Sequence, residues 1–213
     1  MLIARLLKLF FHLLYHPFAW GYDTVATIVS VGRWRHWVIC AADLVASGRV
    51  LELGYGPGHL QHHLQQRGQL AVGLDESMSM ARQASRRLRS HGFHPALVRG
   101  IAQSLPYATG SFDHVVATFP TPYIFDPHTV AEIRRVLRPD GQLVILLAAW
   151  ITGHRLPDRA AALLFQLTGQ VPPAKEYEGV FIEKFAQAGF LTRLQWVEQD
   201  SSRLLFVVAN PHA

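Results

Sequence analysis

The sequence predicts an α/β fold, with a mostly parallel sheet and helices on both of its faces. Residues Val50 to Leu60, VLELGYGPGHL, run from an apolar strand straight into three alternate glycines, Gly54, Gly56 and Gly58, after which Leu60 and Leu64 take helical spacing. Residues Gln69 to Asp75, QLAVGLD, repeat the pattern with a short apolar strand ending in an acid, followed by the helix-like stretch Ser77 to His91. Both strands are mostly apolar runs, consistent with buried parallel strands covered on both faces.

The later elements continue the alternation. Ala96–Arg99, Asp113–Thr118 and Gln142–Leu147 read as the third, fourth and fifth strands, with Pro127 to Leu137 as the helix before the fifth. Pro127 suits a first helical turn, and Pro139 follows the helix end. Past Gly189, Leu191–Val197 and Leu204–Ala209 are two strands joined by the polar turn Glu198–Arg203. The chain has 213 residues, half of them hydrophobic, which is enough for a single core; no low-complexity linker, long charge run or repeat divides it. The lone Cys40 excludes an internal disulfide framework and fits a reducing, cytoplasmic compartment.

Glycines directly after a strand allow a tight turn that approaches a ligand without Cβ interference. The spacing here is G-x-G-x-G. A dinucleotide fingerprint would need a small residue at Gln61 or His59, and a phosphate loop would need Gly-Lys-Ser/Thr. Neither is present. An ordinary strand-to-helix glycine turn fits these residues as well. Asp75 lies about twenty residues past the loop, where an acid at a strand end accepts ribose hydroxyls; alone it would read as a helix N-terminal charge, but following the glycine loop the ribose role is preferred.

The E-x-G-x-G-x-G run resembles motif I of class I S-adenosylmethionine (SAM) dependent methyltransferases. LDESMSMARQASRRL is similar to that family's acid-x-Ser-x-x-Met-Leu-x-x-Ala pattern through Asp75, Ser77 and Met80. Val98 to Leu147 resembles the type 11 methyltransferase succession of GDA-x-x-LPF, SFD and LRPGG, and the likeness covers roughly residues 20 to 148. It implies a Rossmann-like sheet of seven strands, mostly parallel with an antiparallel last strand, and SAM as cofactor, leaving S-adenosylhomocysteine. By the same resemblance the cofactor site comprises Tyr22, Glu52, Gly54, Gly56, Gly58, Asp75, Glu76, Met80, Ala102, Gln103 and Thr118. One departure stands at Ile101, where the family has the Asp of GDA. Ala102 still offers a main-chain N–H to adenine and Gln103 a substitute amide, and one lost hydrogen bond weakens binding by about 0.5–1.5 kcal/mol. Asp140 in LRPDG replaces a commoner Gly in a surface turn.

The acceptor belongs at the carboxyl edge of strand four, which reads Thr118-Phe119-Pro120-Thr121-Pro122-Tyr123. This lacks the Asn/Asp-Pro-Pro-aromatic pattern of enzymes that methylate base amines. Phe119 and Tyr123 either line an apolar acceptor pocket or are core aromatics. The stretch Trp150 to Ala174, with an apolar helical segment near Ala160–Leu167, is long enough to cover substrate, and Trp150 joins the candidate lining. No base stands out: His114, His128 and His154 qualify only by residue type. His59, His62 and His63 read as polar surface positions on a helix, and no metal site is expected.

Residues 1–47 are expected to form a helical, amphipathic amino-terminal cap on a methyltransferase domain of residues 48–213. In Met1 to Trp20, Arg5, Lys8, His12 and His16 share one helical face opposite Leu and Phe, the pattern of an interfacial helix. The alternative is a helix packed on the protein's own core. Tyr22 to Trp37, YDTVATIVSVGRWRHW, resembles the opening of quinone-biosynthesis and phospholipid methyltransferases, which makes Tyr22 a candidate lid over the cofactor. A net charge of +5 and a pI of 9.7 favour an anionic surface. No RNA-binding motif accompanies the basic clusters, so the expected partners are a small or lipid-like substrate and a membrane surface touched by residues 1–20, not nucleic acid. The expected function is methyl transfer from SAM to a hydrophobic acceptor. The alternative is a membrane-peripheral binding protein on the same fold without catalysis.

Overall fold

Strand order β3-β2-β1-β4-β5-β7-β6 defines the sheet at the centre of the computed structural model, which describes residues 30, 32–153, 155, 158 and 182–212. Among the described residues the strands are β1 (Arg49–Leu53), β2 (Leu70–Asp75), β3 (Leu97–Arg99), β4 (Phe112–Thr118), β5 (Leu137–Ile151), β6 (Phe190–Gln199) and β7 (Ser202–Pro211). The helices are α1 (Trp34–Cys40), α2 (His59–Gln66), α3 (Met78–Ser90) and α4 (Pro127–Val136), with 182–187 also helical. β1 pairs in parallel with β2 and β4, β2 with β3, and β4 with β5. β7 runs antiparallel to both β5 and β6 and is the reversed strand of the pattern expected from the sequence.

Two cores sit on opposite faces of this sheet, and strand periodicity assigns residues to them. Leu51, Val115, Ala117, Leu143, Ile145, Val207 and Ala209 face one side with Val130, Ile133 and Val136 of α4. Their neighbours Val50, Val116, Val144, Leu146, Phe206 and Val208 face the other, with Trp37 and Val38 of α1 and Leu60 and Leu64 of α2. β1, β2, β4 and β5 are therefore covered on both faces, which is why their sequences are mostly apolar.

β5 begins earlier than the sequence suggests. Leu137 pairs with Phe112 across a register shift, so the LRPDG segment joins the strand instead of forming a separate turn. Asp140 is exposed there, as a surface position should be. Asp113, of the SFD motif, accepts from Arg49 N–H at 2.7 Å and pairs with Arg138, which ties β4 to the starts of β1 and β5.

Local chemistry sets the helix starts. Ser77 Oγ accepts from Met80 N–H to cap α3, and Asp126 Oδ1 accepts from His128 N–H at 2.8 Å to cap α4, whose first residue is Pro127. α4 also holds the loop between β3 and β4. Arg135 donates to the carbonyls of Tyr107 (2.7 Å) and Leu105 (3.0 Å), while Glu132 accepts from Leu105 N–H at 2.7 Å and pairs with Arg135 at 2.6 Å.

α1 is anchored at its start by Ser30 Oγ, which accepts from Trp34 N–H at 2.9 Å, and by the Arg33–Asp158 ion pair at 2.6 Å. Residues 1–29, including Tyr22 and the amphipathic segment 1–20, lie outside the described residues. So do His154 and, apart from Arg155 and Asp158, the rest of the stretch to Ala174. No helix among the described residues is long and apolar enough to cross a membrane.

Gly73 is a steric requirement of the second strand. A Cβ there would stand 2.6 Å from the Tyr55 ring and 2.9 Å from Leu97. Gly73→Ala is expected to destabilise the protein by about 1–3 kcal/mol in chemical denaturation; an unchanged midpoint would mean that Tyr55 and Leu97 move aside freely.

Candidate functional site

The carboxyl ends of β1, β2 and β4 frame a cavity of about 1110 Å³. It opens at the place where the strand order reverses between β1 and β4, the usual ligand crevice of open α/β sheets. All three glycines of the β1–α2 turn have left-handed backbones, with φ of 69° at Gly54, 50° at Gly56 and 80° at Gly58. They do different jobs. A Cβ on Gly58 would fall 2.8 Å from the Ala84 Cβ, so this glycine lets α2 approach α3. A Cβ on Gly54 would sit 3.1 Å from the Tyr123 hydroxyl, whereas one on Gly56 would meet nothing within 4 Å. Gly54 and Gly56 line the cavity, and Gly56 presents a bare backbone to it.

Their N–H groups are engaged inside the protein. Gly54 donates to Leu74 O at 2.7 Å, Gly58 to Tyr55 O at 2.9 Å and Gly56 to Asp75 Oδ2 at 2.9 Å. The turn thus clears space for a ligand more than it donates to one. The other oxygen of Asp75 accepts from Ser77 N–H at 2.8 Å. Burial raises the Asp75 pKa while these two donors oppose the shift. A carboxylate gripped this way has a fixed orientation and spare lone pairs on both oxygens, the arrangement needed to accept from a vicinal diol.

Of the residues the sequence nominates, Gly54, Gly56, Asp75, Glu76, Met80, Ala102, Gln103, Thr118, Phe119 and Tyr123 come together around this cavity. Ile101 lines it too and is half exposed. The Gln103 amide is directed at Asp126 Oδ2, 3.4 Å away. The Tyr123 hydroxyl donates to Leu53 O at 3.3 Å, and burial pushes its pKa up. Sequence reasoning missed Arg99 and Pro120 as lining. Arg99 Nε, at the end of β3, donates to Glu76 O in the β2–α3 loop at 3.0 Å, a contact that no local pattern announces.

Several expectations require correction. Glu52 is fully buried and absent from the lining. Burial pushes its carboxyl up to about 8, against an opposing hydrogen bond with Gln61. Glu52 Oε2 and Gln61 Oε1 are both buried without hydrogen-bond partners among the described residues. Trp150 does not reach the cavity. Its ring lies 5.1 Å from that of Trp196, because β5 runs on to pair Trp150 with Arg203 of β7. His62 is buried, not a surface position, with its ring 4.2 Å from His91 and its pKa lowered by burial. His114 is buried in β4, paired with Val50 and Gln142, and His128 is exposed on α4; neither lines the cavity.

Phe119 is the feature with no forewarning. It precedes Pro120, which favours an extended backbone, yet its φ is 47°. A non-glycine residue held there costs about 1–3 kcal/mol and persists only where its surroundings enforce it. The Phe119 N–H still donates to Leu146 O at 2.8 Å, and its ring stacks on Trp34 at 4.4 Å with 25° between the planes.

The Glu52 carboxyl makes stability depend on pH. Its folded pKa of about 8 exceeds the ordinary 4.5. Between these values the folded chain holds a proton that the unfolded chain releases, so this group's contribution falls as pH rises and levels off above about 8. Glu52→Gln is expected to flatten that slope in thermal midpoints measured from pH 5 to 9. His62 and His114, with lowered pKa values, add an opposite slope in both proteins, so the difference between them isolates Glu52. Parallel curves would show that Glu52 is ionised in the fold.

Residues 50–141 match the family described as methyltransferase domain. The demethylmenaquinone methyltransferase of Renibacterium salmoninarum is 34% identical over 128 residues, covering 58% of this chain and 52% of that protein. The ubiquinone/menaquinone biosynthesis C-methyltransferase of Desulfotalea psychrophila is 31% identical over 140 residues, covering 62% and 56%. The chain spans about half the length of the curated relatives it matches. A crystal structure from Methanococcus maripaludis, described as an SAM-dependent methyltransferase, superposes with a TM-score of 0.69 over 92% of each chain at 15% identity, which establishes the fold alone. Residues 50–141 thus match a methyltransferase domain family, and the chain resembles quinone methyltransferases in sequence and SAM-dependent methyltransferases in fold.

Proposed function

We propose that this protein transfers the methyl group of SAM to a ring carbon of a lipid-like, quinone-type acceptor. The observation that carries the proposal is the composition of the large cavity, whose lining combines a braced carboxylate and the bare backbone of Gly56 with Phe119, Pro120 and Tyr123. Exposed Met78 and Ile101 add apolar surface to its lining, suited to a hydrophobic entrant. The names of the Renibacterium and Desulfotalea relatives support the acceptor class.

The residues present fit the cofactor. Asp75 accepts the ribose hydroxyls, Gly56 leaves room for close approach, and Met80, Ala102 and Gln103 flank the adenine position. When bound, SAM would supply a methyl carbon made electrophilic by the sulfonium, open to in-line attack with S-adenosylhomocysteine as the leaving group. The protein's share is then to hold the acceptor close, aligned and dry. No histidine of the described residues lines the cavity, and burial keeps the Tyr123 hydroxyl protonated. The non-catalytic alternative has no observation in its favour.

Asp75→Ala is expected to weaken SAM binding about 10- to 100-fold by isothermal titration, the effect of losing hydrogen bonds to a charged acceptor. Radiolabelled SAM with reduced demethylmenaquinone in detergent is expected to give a labelled lipid-soluble product. Intact protein that binds SAM but labels nothing would overturn the acceptor assignment.

We further propose that residues 1–20 contact anionic lipid through Arg5 and Lys8. Deleting residues 1–16 is then expected to abolish co-sedimentation with anionic liposomes while SAM binding persists. Undiminished sedimentation would exclude this segment as the contact.

A further inference from the structure

Phe119 has one side in the cavity lining and the other against Trp34. Its left-handed φ turns the ring onto α1 while its N–H keeps the β-ladder bond to Leu146. Trp37, fully buried, stands behind at 6.3 Å and tilted by 53°. Trp34 is itself held at the first position of α1 by Ser30 and by the neighbouring Arg33–Asp158 pair. The result is a two-layer aromatic stack that begins in the amino-terminal helix and ends as a flat wall of the cavity. The Tyr123 hydroxyl, also part of the lining, is tethered to the Leu53 carbonyl, so this aromatic is restrained too. A strained backbone and an anchored backing ring exceed what core filling requires.

We propose that Trp34 is a positioning residue that presents Phe119 as the stacking wall for a planar, unsaturated acceptor ring, which becomes the third layer of the stack. This rests on the acceptor class proposed above. Offset stacking of flat rings selects planar acceptors over aliphatic ones of equal hydrophobicity. The residues proposed to hold the cofactor, Gly56 and Asp75, follow β1 and end β2, whereas Phe119 follows β4, so Trp34 acts on the acceptor and not on the cofactor.

The test compares Trp34→Ala and Trp34→Phe in the full chain. 1,4-Naphthoquinone serves as a ring probe whose binding needs no turnover, and reduced demethylmenaquinone as the substrate. Trp34→Ala is expected to weaken naphthoquinone binding and raise the acceptor KM about five- to tenfold, with kcat and SAM affinity within twofold of wild type. Trp34→Phe, which keeps a flat backing ring, is expected to restore both. Equal probe affinity in all three proteins, or a parallel fall in SAM affinity that Phe fails to rescue, would overturn the proposal and leave Trp34 a packing residue. Wild type that fails to bind naphthoquinone would overturn it as well. Probe binding that depends on Trp34 without methyl transfer would uphold the aromatic wall and refute the acceptor assignment instead.

Discussion

The grip of Asp75 on two main-chain N–H groups is the contact from which the site is built. One donor, Gly56, belongs to the turn after β1, and the other, Ser77, to the start of α3. A single carboxylate therefore fixes the glycine turn against the end of β2 and orients the helix that follows. Burial makes its charge costly, and the two donors offset that cost. Were either donor absent, the carboxylate would lose its fixed direction and the turn its brace.

The three glycines show how one motif serves several physical ends. Gly58 admits the neighbouring helix, Gly54 admits the Tyr123 hydroxyl, and only Gly56 is open to a ligand. Their donors are satisfied internally, which differs from an anion-binding loop and suits a ligand with no phosphate. Glu52, the acid at the head of the same motif, sits beneath the turn as a buried group with a raised pKa. Its partner Gln61 donates in turn to Val72 O at 3.2 Å, linking β1, α2 and β2 below the floor of the cavity.

Much of the fold was legible because its determinants are local. Mostly apolar runs mark doubly covered strands, Ser77 and Asp126 mark helix starts, and Pro127 fits a first turn. The cofactor half of the cavity was legible for the same reason, since Gly54, Gly56 and Asp75 follow one another at fixed intervals around consecutive strand ends. The acceptor half was not. Trp150 was expected in the cavity by its position after β5, but the length of the β5–β7 ladder carries it to Trp196. His62 shares a helix with polar neighbours, and its burial comes from His91 and Phe93 at the far end of α3.

What the sequence by itself determined is the order of strands and helices, the left-handed turn and the acid that closes it, because glycine spacing and apolar periodicity act within a few residues. Only the tertiary structure decided that Glu52 is a buried support, that Trp150 lies elsewhere, and that Phe119 is turned against its backbone preference onto Trp34. Those outcomes depend on contacts between segments many residues apart, and side-chain packing across such distances leaves no mark on local sequence spacing.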